Sequence, residues 1–142
     1  MNPTIEKFGY PSTLIREFEH WVVLLRPAQV TLGSLVLAAK STATAFADLP
    51  RDAFTEQAVA IGAIERALSA FTAYERINYL MLMMVDPNVH FHVIPRYSGS
   101  RRWQATEYAD AGWPGPPRLD TAIKLDDQKI STFVTELSAH FR

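Results

Sequence analysis

Trp21-Val22-Val23-Leu24-Leu25 is apolar at every position, rich in β-branched and aromatic side chains, and followed closely by Pro27. A run that short reads as a strand covered on both faces, since a half-buried strand would alternate polar with apolar residues. Proline stops it by removing a ladder donor. Val30 to Ala38 reads as a second strand after the turn Pro27-Ala28-Gln29, with Leu32, Ser34, Val36 and Ala38 on one face and Leu35 and Leu37 on the other. The short connection predicts an antiparallel hairpin.

The period then changes. Ala58, Ile61, Ile64, Leu68 and Phe71 recur at helical steps, which predicts a helix over Ala53 to Tyr74. Ile77 to Val85, apolar and Met-rich, reads as a buried strand, and Val89 to Ile94 as its antiparallel neighbour across the turn Asp86-Pro87. Ser98 to Asp120 gathers Gly112, Gly115, Pro114, Pro116 and Pro117 and reads as a long ordered loop. Trp103, Tyr108 and Trp113 would hold it down, and Arg101-Arg102 would be a solvated pair on it. Asp126 to Phe141 reads as a closing helix capped by Asp126 or Asp127. The fold class expected is α+β: an antiparallel sheet of about five strands with two main helices, in one domain.

Charge and residue types narrow the function classes. The 142 residues hold 14 basic and 15 acidic side chains, so no basic excess favours nucleic-acid phosphates. The absence of cysteine removes disulfides, thiolate metal sites and thiol nucleophiles. No apolar run reaches the ~18 residues of a membrane span, and the N-terminal segment to Glu19 has no signal-peptide core. The location expected by default is cytoplasmic, with no membrane partner.

Chemistry concentrates in Asn88-Val89-His90-Phe91-His92-Val93-Ile94-Pro95-Arg96. On a strand, Asn88, His90, His92 and Ile94 share one face and Val89, Phe91 and Val93 the other. The apolar trio would pack on a helix and leave a polar row facing out at ~7 Å intervals. Such a row could be solvent-facing and incidental, could give two imidazoles to a metal, or could supply a histidine nucleophile. A metal usually needs a third or fourth protein ligand, and no Asp, Glu or His follows closely. No metal or other cofactor is expected.

This block resembles the signature of the histidine-triad family, in which three histidines alternate with apolar residues, followed by two apolar residues and often by Pro-Arg. Asn78-Tyr79 resembles that family's upstream asparagine, and Gly33-Ser34-Leu35-Val36 its glycine–histidine strand; the resemblance spans Trp21 to Arg96. It implies a nucleotide hydrolase or nucleotidyl transferase acting on the α-phosphate of a dinucleoside polyphosphate or nucleoside phosphoramidate. His90 matches the nucleophile that becomes nucleotidylated, and His92 the histidine that stabilises charge on the phosphate. Asn78, Asn88 and Ser34 would contact substrate, Asn88 in place of the first histidine and Ser34 in place of the histidine after glycine. Met84 and Val85 stand where some members carry Gln and then Ser or Thr, which help the leaving group depart. A slow nucleotide-binding module on the same fold is the alternative.

The resemblance also implies a homodimer joined across the helix and the strand before the motif. Independently, Val59, Ala60, Ala63, Ala67 and Ala70 give that helix more apolar surface than one sheet needs.

Overall fold

Asn2 caps the first element. In the computed structural model, which describes residues 1–141, its side chain accepts from the Ile5 N–H at 3.0 Å, while its Nδ2 donates to the Ala39 and Ser41 carbonyls. The cap starts a short helix, α1 (Pro3–Lys7), and ties it to the sheet. Strand β1 (Leu14–Glu17) follows, and neither element is among those expected from the sequence. The apolar run forms β2 (Trp21–Leu25), buried at every position. A two-residue strand, β3 (Ala28–Gln29), leads into a tight turn before β4 (Leu35–Ala39).

The second strand therefore begins later than Val30. Gln29 Oε1 accepts from the backbone N–H groups of Gly33 and Ser34 at 2.8 and 3.2 Å, fixing the turn. Gly33 has φ +89°, a conformation that favours glycine, and a Cβ there would press on Leu68 Cδ2 at 3.0 Å. The predicted hairpin is present: β2 pairs antiparallel with β4 from Trp21↔Ala39 to Leu25↔Leu35.

Helix α2 (Arg51–Thr72) is the predicted helix, shifted by two residues at each end. Strand β5 (Arg76–Leu80) is shorter than predicted, and β6 (His90–Arg96) runs past Pro95. The ladder of β6 with β4 ends at Val93, beyond which only β5 pairs with it, so the missing proline N–H breaks no bond on the β4 side. Residues 81–87 form a loop in which Met84 and Val85 are 84% and 82% exposed. Their expected burial in a strand fails because the pairing with β6 stops at Leu80↔His92 and residues 81–87 form no strand.

The segment expected as a long loop contains a hairpin, β7 (Arg101–Trp103) with β8 (Thr106–Tyr108). Arg101 is not merely solvated: it donates to the Thr72 and Ala73 carbonyls at the end of α2 and stacks on Tyr97. Trp103 and Tyr108 are buried as expected. Strand β9 (Ile123–Lys124) pairs with β3, and α3 (Asp127–Ser138) closes the fold with Asp126 as its cap, accepting from Lys129 N at 2.8 Å.

The main sheet has five strands in the order β1-β2-β4-β6-β5, antiparallel throughout, so the α+β architecture is the one predicted. One face carries Trp21, Val23, Leu25, Leu35, Leu37 and Val93 against α2 and α3. Ala60, Ala63 and Ala67 are buried in this same core, so only Val59 and Ala70 of the expected surplus remain exposed. The opposite face carries Val22, Leu24, Val36 and Ala38 under Ile5, with Phe8 and Tyr10 beside it. Two covers, one helical pair and one N-terminal segment, explain why β2 is buried on both sides. Among the described residues, no helix is long and apolar enough to cross a membrane.

Candidate active site

Strand alternation places His90 and His92 on the face opposite α2, with Val89 and Val93 in the helical core as predicted. The row is not open to solvent, however. Asn88, His90 and His92 are 6%, 2% and 7% exposed, because α1 and the residues after it lie over them. Phe8 sits 5.7 Å from both imidazole rings, centroid to centroid, and the two rings meet edge-on at 5.1 Å. Sequence reading missed this cover, since Phe8 is remote in the chain and lies in a segment without a usable period.

His90 has a defined tautomer. Its Nδ1 is 2.7 Å from the Asn88 carbonyl oxygen, which can only accept, so Nδ1 carries the proton and donates. In the neutral ring the lone pair is then on Nε2. His92 differs. Its Nδ1 is buried without a partner among the described residues. Burial, the positive charge of Arg26 and the His90 ring together lower its pKa to about 4, with Asp86 opposing. At neutral pH it is therefore an uncharged imidazole, able to donate one hydrogen bond.

A cavity of ≈ 220 Å³ adjoins the two rings, lined otherwise by Leu82, Met83, Met84, Val85 and Asp86. Asn78 shares this face, since β5 pairs with β6 through Leu80↔His92 and Asn78↔Ile94. A wider cleft of ≈ 530 Å³ lies at that end, between Asn78, Arg96 and the segment Trp113–Pro116. Arg96, a site-face residue given no role from sequence, organises the cleft. Its guanidinium donates to Asn78 Oδ1 at 2.8 Å, to both Asp110 carboxylate oxygens at 2.7 and 3.1 Å, and to the Gly115 carbonyl at 2.8 Å. The signal for it was the Arg that ends the motif followed by a lone Asp before the Trp-Pro segment.

The other two candidates spend their side chains inside the protein. Asn88 Oδ1 accepts from Thr4 Oγ1 at 2.9 Å and Nδ2 donates to the Thr42 carbonyl at 3.1 Å, joining α1 and the loop after β4 to the start of β6. Ser34 Oγ donates to the Thr31 carbonyl at 2.8 Å and accepts from Thr31 N, within the turn before β4. Asn88→Ala should cost about 1–3 kcal/mol in urea unfolding, because it strands a buried hydroxyl and a carbonyl. A loss below about 0.5 kcal/mol would remove the locking role.

Solved structures similar along nearly the whole chain include three histidine-triad proteins. A histidine-triad protein from Sinorhizobium meliloti 1021 is 20% identical with TM-score 0.72, covering 99% of this chain and 95% of that one. One from Bradyrhizobium japonicum is 18% identical with TM-score 0.71, covering 100% and 97%. A hypothetical histidine triad nucleotide-binding protein from Sulfolobus tokodaii strain7 is 15% identical with TM-score 0.70, covering 97% and 89%. No protein-family model matches, and no curated protein matches. These likenesses give the chain the fold of histidine-triad proteins.

Proposed function

We propose that this chain, built on the histidine-triad fold, binds a nucleotide through its phosphates and transfers the nucleotidyl group by way of His90. The observation that carries the reading is the 2.7 Å bond from His90 Nδ1–H to the Asn88 carbonyl, which leaves Nε2 as the nucleophile without any other base. In the first step Nε2 attacks the α-phosphorus, the bond from phosphorus to the leaving group breaks, and the leaving group takes the electron pair. Water then attacks the same phosphorus, the P–N bond breaks, and its proton is released as the nucleoside monophosphate leaves. His92, uncharged, donates to a phosphoryl oxygen as charge develops there, and Asn78 offers its amide N–H from the adjoining strand.

A second reading, slow turnover by a nucleotide-binding module, is favoured by one feature: the cavity wall contributed by Leu82, Met83, Met84 and Val85 is apolar and offers a departing group no proton. The experiment is incubation with a dinucleoside polyphosphate and an adenosine phosphoramidate, reading products and intact mass. A nucleotidyl adduct on the wild-type protein supports the transfer reading; tight binding with neither adduct nor product supports the module.

A homodimer belongs to the same proposal. Strand β5 is a sheet edge, and an uncovered edge is a template for pairing. Val59 on α2, Leu82, Met84 and Val85 are exposed apolar residues on the elements that would meet a partner. Sedimentation at micromolar concentration should give twice the chain mass; a single-chain mass that persists as concentration rises would remove the pairing. The location proposed is the cytoplasm.

A further inference from the structure

The paired histidines are almost wholly buried, and the cavity beside them measures ≈ 220 Å³, below the ~300–1,000 Å³ of pockets that take a small molecule. Their cover has a fixed part and a loose part. Asn2 bonds to the Ala39 and Ser41 carbonyls, Thr4 bonds to Asn88, and Ile5 is buried on the sheet, so α1 is anchored. The anchors end there. Lys7 is exposed, and Phe8, whose ring lies beside both imidazoles, is only partly buried. Directly after it the chain turns at Gly9, with φ +92°. Lys7 Nζ is 2.7 Å from Asp86 Oδ1, which ties the end of α1 to the loop of residues 81–87. Asp86 lines the cavity together with both histidines, and His92 feels its charge. The wall that an anion must pass therefore carries a carboxylate, and like charges at close range repel. The Lys7 and Asp86 side chains are 53% and 18% exposed, and a pair so open to water holds weakly, more weakly still in salt.

We propose that Lys7, Phe8 and Asp86 form a gate over the paired histidines, shut in this structure and released when the Lys7–Asp86 pair parts. Parting the pair frees the end of α1 from the 81–87 loop, so that the Phe8 ring leaves the imidazoles while Asn2, Thr4 and Ile5 stay seated. Access is then set by one exposed ion pair and one ring rather than by unfolding of the cover. Shut, the gate keeps water and stray electrophiles from the two rings. Its purpose rests on the reading of His90 and His92 as the reacting pair, but the gating itself needs only the geometry.

The test is carbethoxylation of the imidazoles by diethyl pyrocarbonate, followed residue by residue in peptide masses. His20 and His140 serve as internal standards, since both lie outside the site and reach solvent. At low salt, His90 and His92 of the wild type should react at least about 10-fold more slowly than His140, as where the open arrangement is a minor one. Lys7→Gln and Asp86→Asn should each speed both residues about 2- to 5-fold, the range of an exposed ion pair. Sodium chloride at about 0.5 M should do the same to the wild type and nothing further to either variant. Phe8→Ala should give the largest rise, and Lys7→Glu combined with Asp86→Lys should restore the slow rate. Three results overturn the gate: wild-type His90 and His92 as reactive as His140, rates unmoved by breaking the ion pair, or a rise shared by His20 and His140, which marks general loosening. Gated imidazoles in a protein that never forms a nucleotidyl adduct keep the gate and overturn the transfer reading. An adduct on a protein whose imidazole reactivity ignores Lys7, Phe8 and Asp86 does the reverse.

Discussion

His90→Ala will abolish turnover of any nucleotide this protein cleaves, by at least about 10⁴-fold, because it removes the group proposed to form the covalent bond to phosphorus. Any nucleotidyl adduct found on the wild type will be missing from the intact mass of the variant. The substitution is not structurally silent. His90 is 2% exposed and packs between Phe8 and His92, so alanine leaves a void and strips the Asn88 carbonyl of its donor. A stability loss of about 1–3 kcal/mol should accompany the loss of activity. His90→Gln fills more of that space and should fold better while remaining just as inactive. Wild-type rates in either variant would sink the nucleophile assignment. A loss confined to affinity would shift the reading to the binding module.

The helices and the central strands were legible because their patterns are long or extreme. Helix α2 repeats its apolar stripe over many turns, α3 carries a capping aspartate, and β2 has no polar residue at all. The β7–β8 hairpin was not legible. Its turn uses Gln104 and Ala105 at φ 48° and 65°, where the familiar signal would be Asn-Gly or Asp-Gly. Residues 81–85 misled for the opposite reason: they have strand composition, but Met83 at φ 50° lies in a loop with no strand beside it. Tertiary pairing, not composition, decided where β5 stopped.

At the site, alternation correctly set His90 and His92 on one face and Val89 and Val93 on the other. It could not tell whether that face was wet. The cover comes from Thr4, Ile5 and Phe8, which sequence cannot connect to β6 because the linking bonds, such as Thr4 to Asn88, span the chain. Nor could it foresee that Asn88, read as a substitute for a histidine, would be used as a clasp. The short polar side chain reaches two partners that belong to different segments, and this fixes the carbonyl that orients His90.

Arg96→Ala should be the most destabilising single substitution on this face, lowering urea stability by about 3–5 kcal/mol. The Arg96 and Asp110 side chains are 5% and 1% exposed, so removing the cation leaves a carboxylate buried with only the Tyr97 and Gly112 N–H groups. It also frees Asn78 Oδ1 and the Gly115 carbonyl, so the Trp113–Pro116 wall of the cleft loses its anchor. The pH dependence follows from Asp110. Burial raises its pKa, but the bonds from Arg96 and from the Tyr97 and Gly112 N–H groups outweigh it and leave the value below the ordinary 3.8. A depressed carboxyl pKa contributes stability that is fully present above the ordinary value and lost as pH falls through the folded one. The wild type should therefore lose stability steeply below about pH 4, and Asp110→Asn should flatten that slope while costing stability at pH 7. Arg96→Met, Asp110→Asn and their combination form a cycle whose coupling should exceed about 1 kcal/mol. Additive losses, or a loss under about 1 kcal/mol for Arg96→Ala, would mean that the Trp-Pro wall is held by its own packing rather than by this buried ion pair.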